Sequence, residues 1–524
     1  MKQRITYLLE ENDAEVGPEQ IQVQDNSLSI HDLYGAKEHR VTLGLDELPQ
    51  ELRLVLNQCH ELRIRWASQF LYAGLSPFTS RVSPGLHVFY TPRRKGHDAQ
   101  ICQLLGRVFG NELACESVER SFINVPILSE RFSSTASFQY YSLWPSLKKF
   151  VTYVEHAVHE SQQAKIRSLL DVNQLDVDCD IISHACILNA YWAEPTGNKH
   201  WKELIETKKT SGTLEVGILT NEKPLEPEEL SLSGVLAVVG EDDRPKATKF
   251  SFPSRHHPVP ASDLPTYFYT HIKSPAGLHP TLQLTFPSGT KSLIPPNPSC
   301  ALHAHLTLPS TLLIDKYQLQ DPLFLSSQRL RRLHSVAGET DLEAPNWAIS
   351  RWGSAVLLEL AHPSAPPSTP QDGATAGAEA GAGAETAAAA AAADWTVSIP
   401  LHLRYLEPRA NASGMSAVDV PWPVVFWACA AEEGTKMGMN PFDRTNLGYD
   451  GLFGTRTMFY HVPPAVQAAA LVERVPVPVL DLGRARYVEL GTVVAVVVGF
   501  AWVVWKLLAV GGKEGERAQG VKGE

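Results

Sequence analysis

The chain has 524 residues, 44% of them hydrophobic and 20% charged, enough apolar material for more than one core and too much chain for one compact unit. Fifty-seven acidic residues against 46 basic ones give a net charge of -11, and that excess leaves no broad phosphate-neutralising surface. Nucleic acid is therefore excluded as the expected partner.

From Met1 to about Thr91, short alternating stretches at Gln20 to His31, Arg40 to Leu45, Leu52 to Val55, Leu62 to Trp66 and Gly85 to Tyr90 predict strands around turns. Ala99 to Phe109 and Leu147 to Asp171 carry apolar residues at helical spacing, the second through Phe150, Val151, Val154, Val158 and Ile166. Residues 1–245 read as a mixed α+β region. Within it, Asp176-Val-Asp178-Cys-Asp180 overlaps two D-x-D patterns, the spacing that holds a divalent cation on a sugar-nucleotide diphosphate. Alternating acids followed by Ile181 and Ile182 are also what the wet face of an edge strand looks like, and that reading is preferred. Catalysis or glycan binding through Asp176, Asp178 and Asp180 stays as the alternative.

Beyond about Lys246 the chain is proline-dense, and an internal proline removes a helix hydrogen bond and clashes with the preceding turn. Strands are expected instead. Leu282, Leu284 and Phe286 share one face, as do Leu302, Ala304, Leu306 and Leu308 opposite His303, His305 and Thr307, and Val397, Ile399, Leu401, Leu403 and Tyr405 opposite Ser398, His402 and Arg404. Such one-sided alternation predicts a mainly antiparallel, sandwich-like β domain over 246–480, one face packed and one wet. His303, His305 and His402 would make a three-imidazole site if their strands adjoined, but alternate histidines on a wet face are the plainer reading, and no metal ligand, catalytic residue or cofactor is assigned. Residues 363–394 are Pro-rich, then rich in Ala, Gly and Glu, and offer no apolar face. They read as a disordered insertion, which costs little because loop-closure entropy grows only logarithmically with length.

Seven widely spaced cysteines without a C-x-x-C exclude a zinc ribbon and suggest a mostly reduced protein with about one disulfide, its pairing open. Leu490 to Trp505 is an uncharged run that, continued past Lys506, spans a bilayer core as a helix over 490–510, leaving a tail of 511–524. Gly491, Ala495 and Gly499 recur every four residues along it, a stripe on which a second membrane helix can approach closely. Lysines and arginines favour a cytosolic tail by one charge, and Asn411-Ala-Ser413 is a sequon that would need a lumenal body. The N-terminus has no conventional signal peptide, so a tail-anchored protein with a cytosolic body competes.

Three strings carry a family resemblance: Cys300-Ala-Leu-His-Ala-His-Leu-Thr-Leu-Pro309 running on to Asp315 and Tyr317, Asp341-Leu-Glu-Ala-Pro345-Asn346-Trp347, and Ile399-Pro-Leu-His402-Leu-Arg404-Tyr405-Leu-Glu-Pro408. With Pro421 to Cys429, Asn440-Pro-Phe-Asp-Arg444, Leu447 to Gly454, Thr457 to His461 and the C-terminal span, they resemble the PIG-X family in its fungal branch. The resemblance implies a non-catalytic subunit of glycosylphosphatidylinositol (GPI) mannosyltransferase I in the endoplasmic reticulum membrane. Such a subunit stabilises a polytopic PIG-M-type catalytic partner that adds the first mannose. It also implies a lumenal body, in which the Asn411 sequon is expected to carry a glycan. For a subunit of this kind, replacing Asp176, Asp178 and Asp180 with Asn is expected to change little.

Overall fold

In the computed structural model the described residues are 1–9, 20–78, 80–93, 99–126, 137–157, 160–197, 200–207, 212–260, 262–273, 277–287, 289–362, 394–410, 414–438, 440–466 and 470–520. Among them, an eleven-stranded sheet organises the N-terminal half. The strand Lys2–Leu9 lies inside it, fourth from one edge, antiparallel to Ala36–Gly44 and parallel to Thr213–Glu222. The sheet runs outward on one side through Glu229–Val238 to Lys246–Pro253, and on the other through Ala185–Trp192, Gln174–Asp180, Cys59–Ala67, Gly85–Pro92 and Ser137–Ser142 to Ile123–Val125. Because Lys246–Pro253 pairs with Glu229–Val238, this half ends past residue 245, near Pro253.

Helices Gln50–Leu56, Ala99–Phe109 and Lys148–Ala157 lay Val55, Leu105, Phe109, Phe150 and Val151 against Leu62, Trp66, Leu86 and Val88 of the sheet. The expected helix over Ala99 to Phe109 forms with those bounds, and Leu147 to Asp171 yields two helices and a 3-10 turn. The expected strand at Leu52 to Val55 is instead helical: Val55 and Leu56 are buried while Leu54 is exposed, a three-to-four-residue period that four residues cannot reveal.

The C-terminal half is a β sandwich. A six-stranded sheet runs in the order His256–Pro258, Thr457–His461, Val424–Ala430, Ala301–Pro309, Gly353–Leu360, Leu330–Gly338. On it packs a smaller layer comprising the three-stranded sheet Tyr269–Ile272, Thr281–Phe286, Trp395–Pro400 and the pair Met415–Pro421, Val472–Pro478. The core between the layers holds Leu282, Leu284, Phe286, Leu302, Ala304, Leu306, Val397 and Ile399, all at most 2% exposed. The expected apolar faces are therefore the packed faces.

The wet face expected opposite Leu302 to Leu308 does not exist. His303, His305 and Thr307 are also buried, because the second face of the six-stranded sheet lies on Ala67, Val82, Leu447 and Tyr449, a third layer built partly from the N-terminal half. Along Trp395 to Tyr405 the alternation also breaks at its end: Tyr405 is exposed and Arg404 is buried, donating to the Ala344 carbonyl.

Three disulfides, Cys102–Cys115, Cys179–Cys186 and Cys300–Cys429, replace the mostly reduced protein expected from cysteine spacing. Spacing could not show that Cys179 and Cys186 are cross-strand partners, or that Cys300 and Cys429 flank the paired residues Ala301 and Ala428. Cys59 is free and buried, and burial pushes its thiol up to about 12, so it is inert.

Candidate functional site

The two halves meet at a loop whose first residues are Asn440-Pro-Phe-Asp-Arg444. Phe442 inserts among Phe78, Tyr191 and Phe252 of the N-terminal half, 3% exposed, and burying such a ring contributes about 2–3 kcal/mol. Arg444 then reaches the sheet beneath: Nη2 donates to Glu38 Oε1 at 2.7 Å and Nε to Asp176 Oδ2 at 3.2 Å. Asp176 takes a second guanidinium from Arg65, Nη1 to Oδ1 at 2.8 Å, while Arg65 Nη2 donates to Asp178 Oδ1 at 2.9 Å. Arg65 also donates to the carbonyls of Thr445 and Asn446 in the same loop. Asn446 adopts a φ of 57°, and Asp450 accepts the backbone N–H groups of Asn446 and Leu447 at 2.9 and 2.7 Å.

This network is almost dry, with the side chains of Arg65, Asp176, Arg444 and Glu38 exposed by 0–3%. Burial alone would depress both guanidiniums, yet the carboxylates of Asp178, Asp176 and Glu38 outweigh it and hold Arg65 and Arg444 above the usual arginine range. Asp443, one residue earlier, is pushed up to about 6 by burial, partly offset by the Arg255 N–H and the Ser254 hydroxyl.

The acids read as an edge-strand face or a cation site are neither. Gln174–Asp180 is an inner strand between Ala185–Trp192 and Cys59–Ala67, and Asp176 and Asp178 are held by arginines. Asp180, the last residue of that strand, accepts the Ile182 N–H at 2.8 Å. The expectation that Asn replacements change little gives way, for Asp176, to a structural role. Arg65, Arg444 and Glu38 were invisible to local reading because each lies more than a hundred residues from Asp176; the one sequence signal was the string ending in Arg444.

The three histidines weighed, and set aside, as an imidazole site are not brought together. His402 sits beside His279, Nδ1 atoms 3.1 Å apart, on the short strand His402–Leu403 that pairs with Leu312–Leu313. His305 is enclosed near Tyr449 and Gly448. His303 instead meets His334 and Glu359, two residues the sequence reading did not single out.

The helix Ala485–Gly520 leaves the sandwich through a backbone bridge in which Arg409 pairs with Asp481. Leu482–Ala509 is long and apolar enough to cross a membrane, and among the described residues its apolar window is unburied. Helix continues to Gly520, through most of the expected tail. Gly491 and Gly499 have open space beside them, and Val493, Val494 and Val496 to Val498 are all exposed. Asn411 and residues 363–393 lie outside the described residues.

The sequence profile of the PIG-X / PBN1 family matches residues 275–508. The protein named pbn1 in Emericella nidulans is 46% identical, the alignment covering 99% of this chain and 98% of that protein. Protein pbn1 of Neurospora crassa is 39% identical over 99% and 97%. Protein PBN1 of Saccharomyces cerevisiae is 26% identical over 51% of each.

Proposed function

The chain belongs to the PIG-X / PBN1 family, and from that premise we propose that it serves GPI-anchor biosynthesis as a non-catalytic subunit of GPI mannosyltransferase I. In this reading it sits in the endoplasmic reticulum membrane with its β body lumenal and stabilises a polytopic PIG-M-type catalytic partner that transfers the first mannose. The observation that carries it is the uncovered apolar helix fixed to a β body with a closed core. A helix bare of its own chain's contacts gains by packing against other helices in lipid. Three disulfides suit an oxidising lumen better than the cytosol and weigh against the tail-anchored topology. Occupation of Asp176 and Asp178 by arginines supports a subunit over a metal-dependent transferase built on those acids.

Depleting the chain is expected to lower the amount of the catalytic partner and to accumulate the unmannosylated glucosaminyl lipid, both reversed by re-expression. Purified chain that transfers mannose from a dolichol-phosphate donor without a partner overturns the reading. Endoglycosidase sensitivity that disappears in Asn411→Gln reports a lumenal body.

A further inference from the structure

Three strands of the six-stranded sheet bring two imidazoles and a carboxylate to one point. His303 and Glu359 are direct partners on the antiparallel neighbours Ala301–Pro309 and Gly353–Leu360, so their side chains leave the same face. On the far side of Gly353–Leu360, Leu333 pairs with Leu358 and Ser335 with Leu357, which leaves His334 as the extra residue of a bulge. A bulge re-aims the side chain it carries, and His334 turns in over Glu359. His334 Nε2 lies 3.2 Å from His303 Nε2 and 3.0 Å from Glu359 Oε2, and one ligand atom from each of the three residues falls within 4.8 Å of the others.

His303 Nδ1 lies 2.9 Å from the Ala301 carbonyl, which can only accept, so Nδ1 carries the hydrogen and Nε2 presents a lone pair to His334. From the other side Arg332 Nη2, which can only donate, approaches His334 Nε2 at 3.1 Å. A hydrogen on His334 Nε2 serves both His303 and Glu359 Oε2, and Arg332 Nη2 then has Glu359 Oε2, at 3.2 Å, as its acceptor. A cation accepting all three lone pairs takes the place of that shared hydrogen once Arg332, whose side chain is 62% exposed, swings outward.

The geometry points to a divalent-cation site of the zinc type formed by His303 Nε2, His334 Nε2 and Glu359 Oε2, with the Arg332 guanidinium competing for the same position. Two imidazoles and one carboxylate are a donor set zinc takes, and bonds of about 2.0–2.1 Å in a tetrahedron put ligand atoms roughly 3.3 Å apart. The outer contacts fit: the Ala301 carbonyl fixes the His303 ring, and Arg331 Nη1 holds the other carboxylate oxygen, Glu359 Oε1, at 3.2 Å. Phe426 and Phe453 wall His303, which leaves the fourth position on the Arg332 side. The ion would tie the edge strand Leu330–Gly338 to the two inner strands. It stands independently of the role proposed above.

The test uses the full-length chain in detergent, purified through a tag without histidine, stripped with chelator and titrated with Co²⁺. One Co²⁺ per chain with visible ligand-field absorption, displaced by Zn²⁺, is expected, as is at least tenfold weaker binding in His334→Gln and Glu359→Gln. Arg332→Ala should bind severalfold tighter, an increase that misfolding cannot produce. Binding that survives His334→Gln unchanged, or no stoichiometric binding in either the unaltered chain or Arg332→Ala, overturns the site.

Discussion

Asp176 lies between two guanidiniums with 3% of its side chain exposed, so neutralising it strands two buried cations with too little negative charge. Breaking a buried ion pair from one side typically costs about 3–5 kcal/mol. Asp176→Asn should lose stability on that scale in denaturant, with a smaller loss for Asp180→Asn, whose side chain is only partly buried. His305 makes a second residue-scale case. Burial first, then the neighbouring His87, lowers its imidazole to about 3, and burial lowers His87 itself to about 4. The unfolded chain, with histidines near 6.5, therefore binds more protons than the folded one below pH 6.5. Stability is fully present above that pH and falls as pH drops toward 3. Replacing His305 with Gln should flatten the fall in unfolding free energy by up to about 1.4 kcal/mol per pH unit between pH 6 and 4. An unchanged slope would mean that His305 protonates without cost.

At the scale of elements, what a sequence shows depends on what covers each face. Thr281–Phe286 and Ala99–Phe109 were legible with their bounds because each buries one side, and burial then repeats at two or at three to four residues. Ala301–Pro309 was legible only as a strand. Its histidines looked wet since imidazole is polar, and nothing local announces that Tyr449, more than a hundred residues on, closes the second face. The membrane helix was the plainest element of all, as no amphipathic pattern competes with its apolar run. Its stripe of Gly491, Ala495 and Gly499 is uncovered among the described residues, and small residues let another backbone approach in lipid, where packing drives association. Changing all three to Leu raises hydropathy, so insertion should persist while co-purification of the proposed catalytic partner falls at least severalfold. Unchanged recovery would assign the holding to the β body.

On the scale of the whole molecule, the family profile begins at residue 275, but the fold does not divide there. Phe442 and Arg444 from the matched segment complete the core and the charge balance of the N-terminal sheet. The halves are therefore coupled, which the sequence could not disclose because each partner is remote in the chain. The same coupling decides what a cut at 363–393 would do. Strand Gly353–Leu360, before it, is held between Ala301–Pro309 and Leu330–Gly338, while Trp395–Pro400, after it, pairs with Thr281–Phe286. Each fragment thus keeps strands in both layers of the sandwich, and Cys300–Cys429 joins them covalently across the cut. Closing a loop of 129 residues removes about 5 kcal/mol of unfolded-state entropy on the chain-entropy model. Limited proteolysis should therefore cut first within 363–393, whose composition offers no core. The product should run as one species without reductant and as two with it, and should stay associated under native conditions. Two fragments on a non-reducing gel would show that Cys300 and Cys429 are not paired, and resistance of the segment to protease would show that it packs.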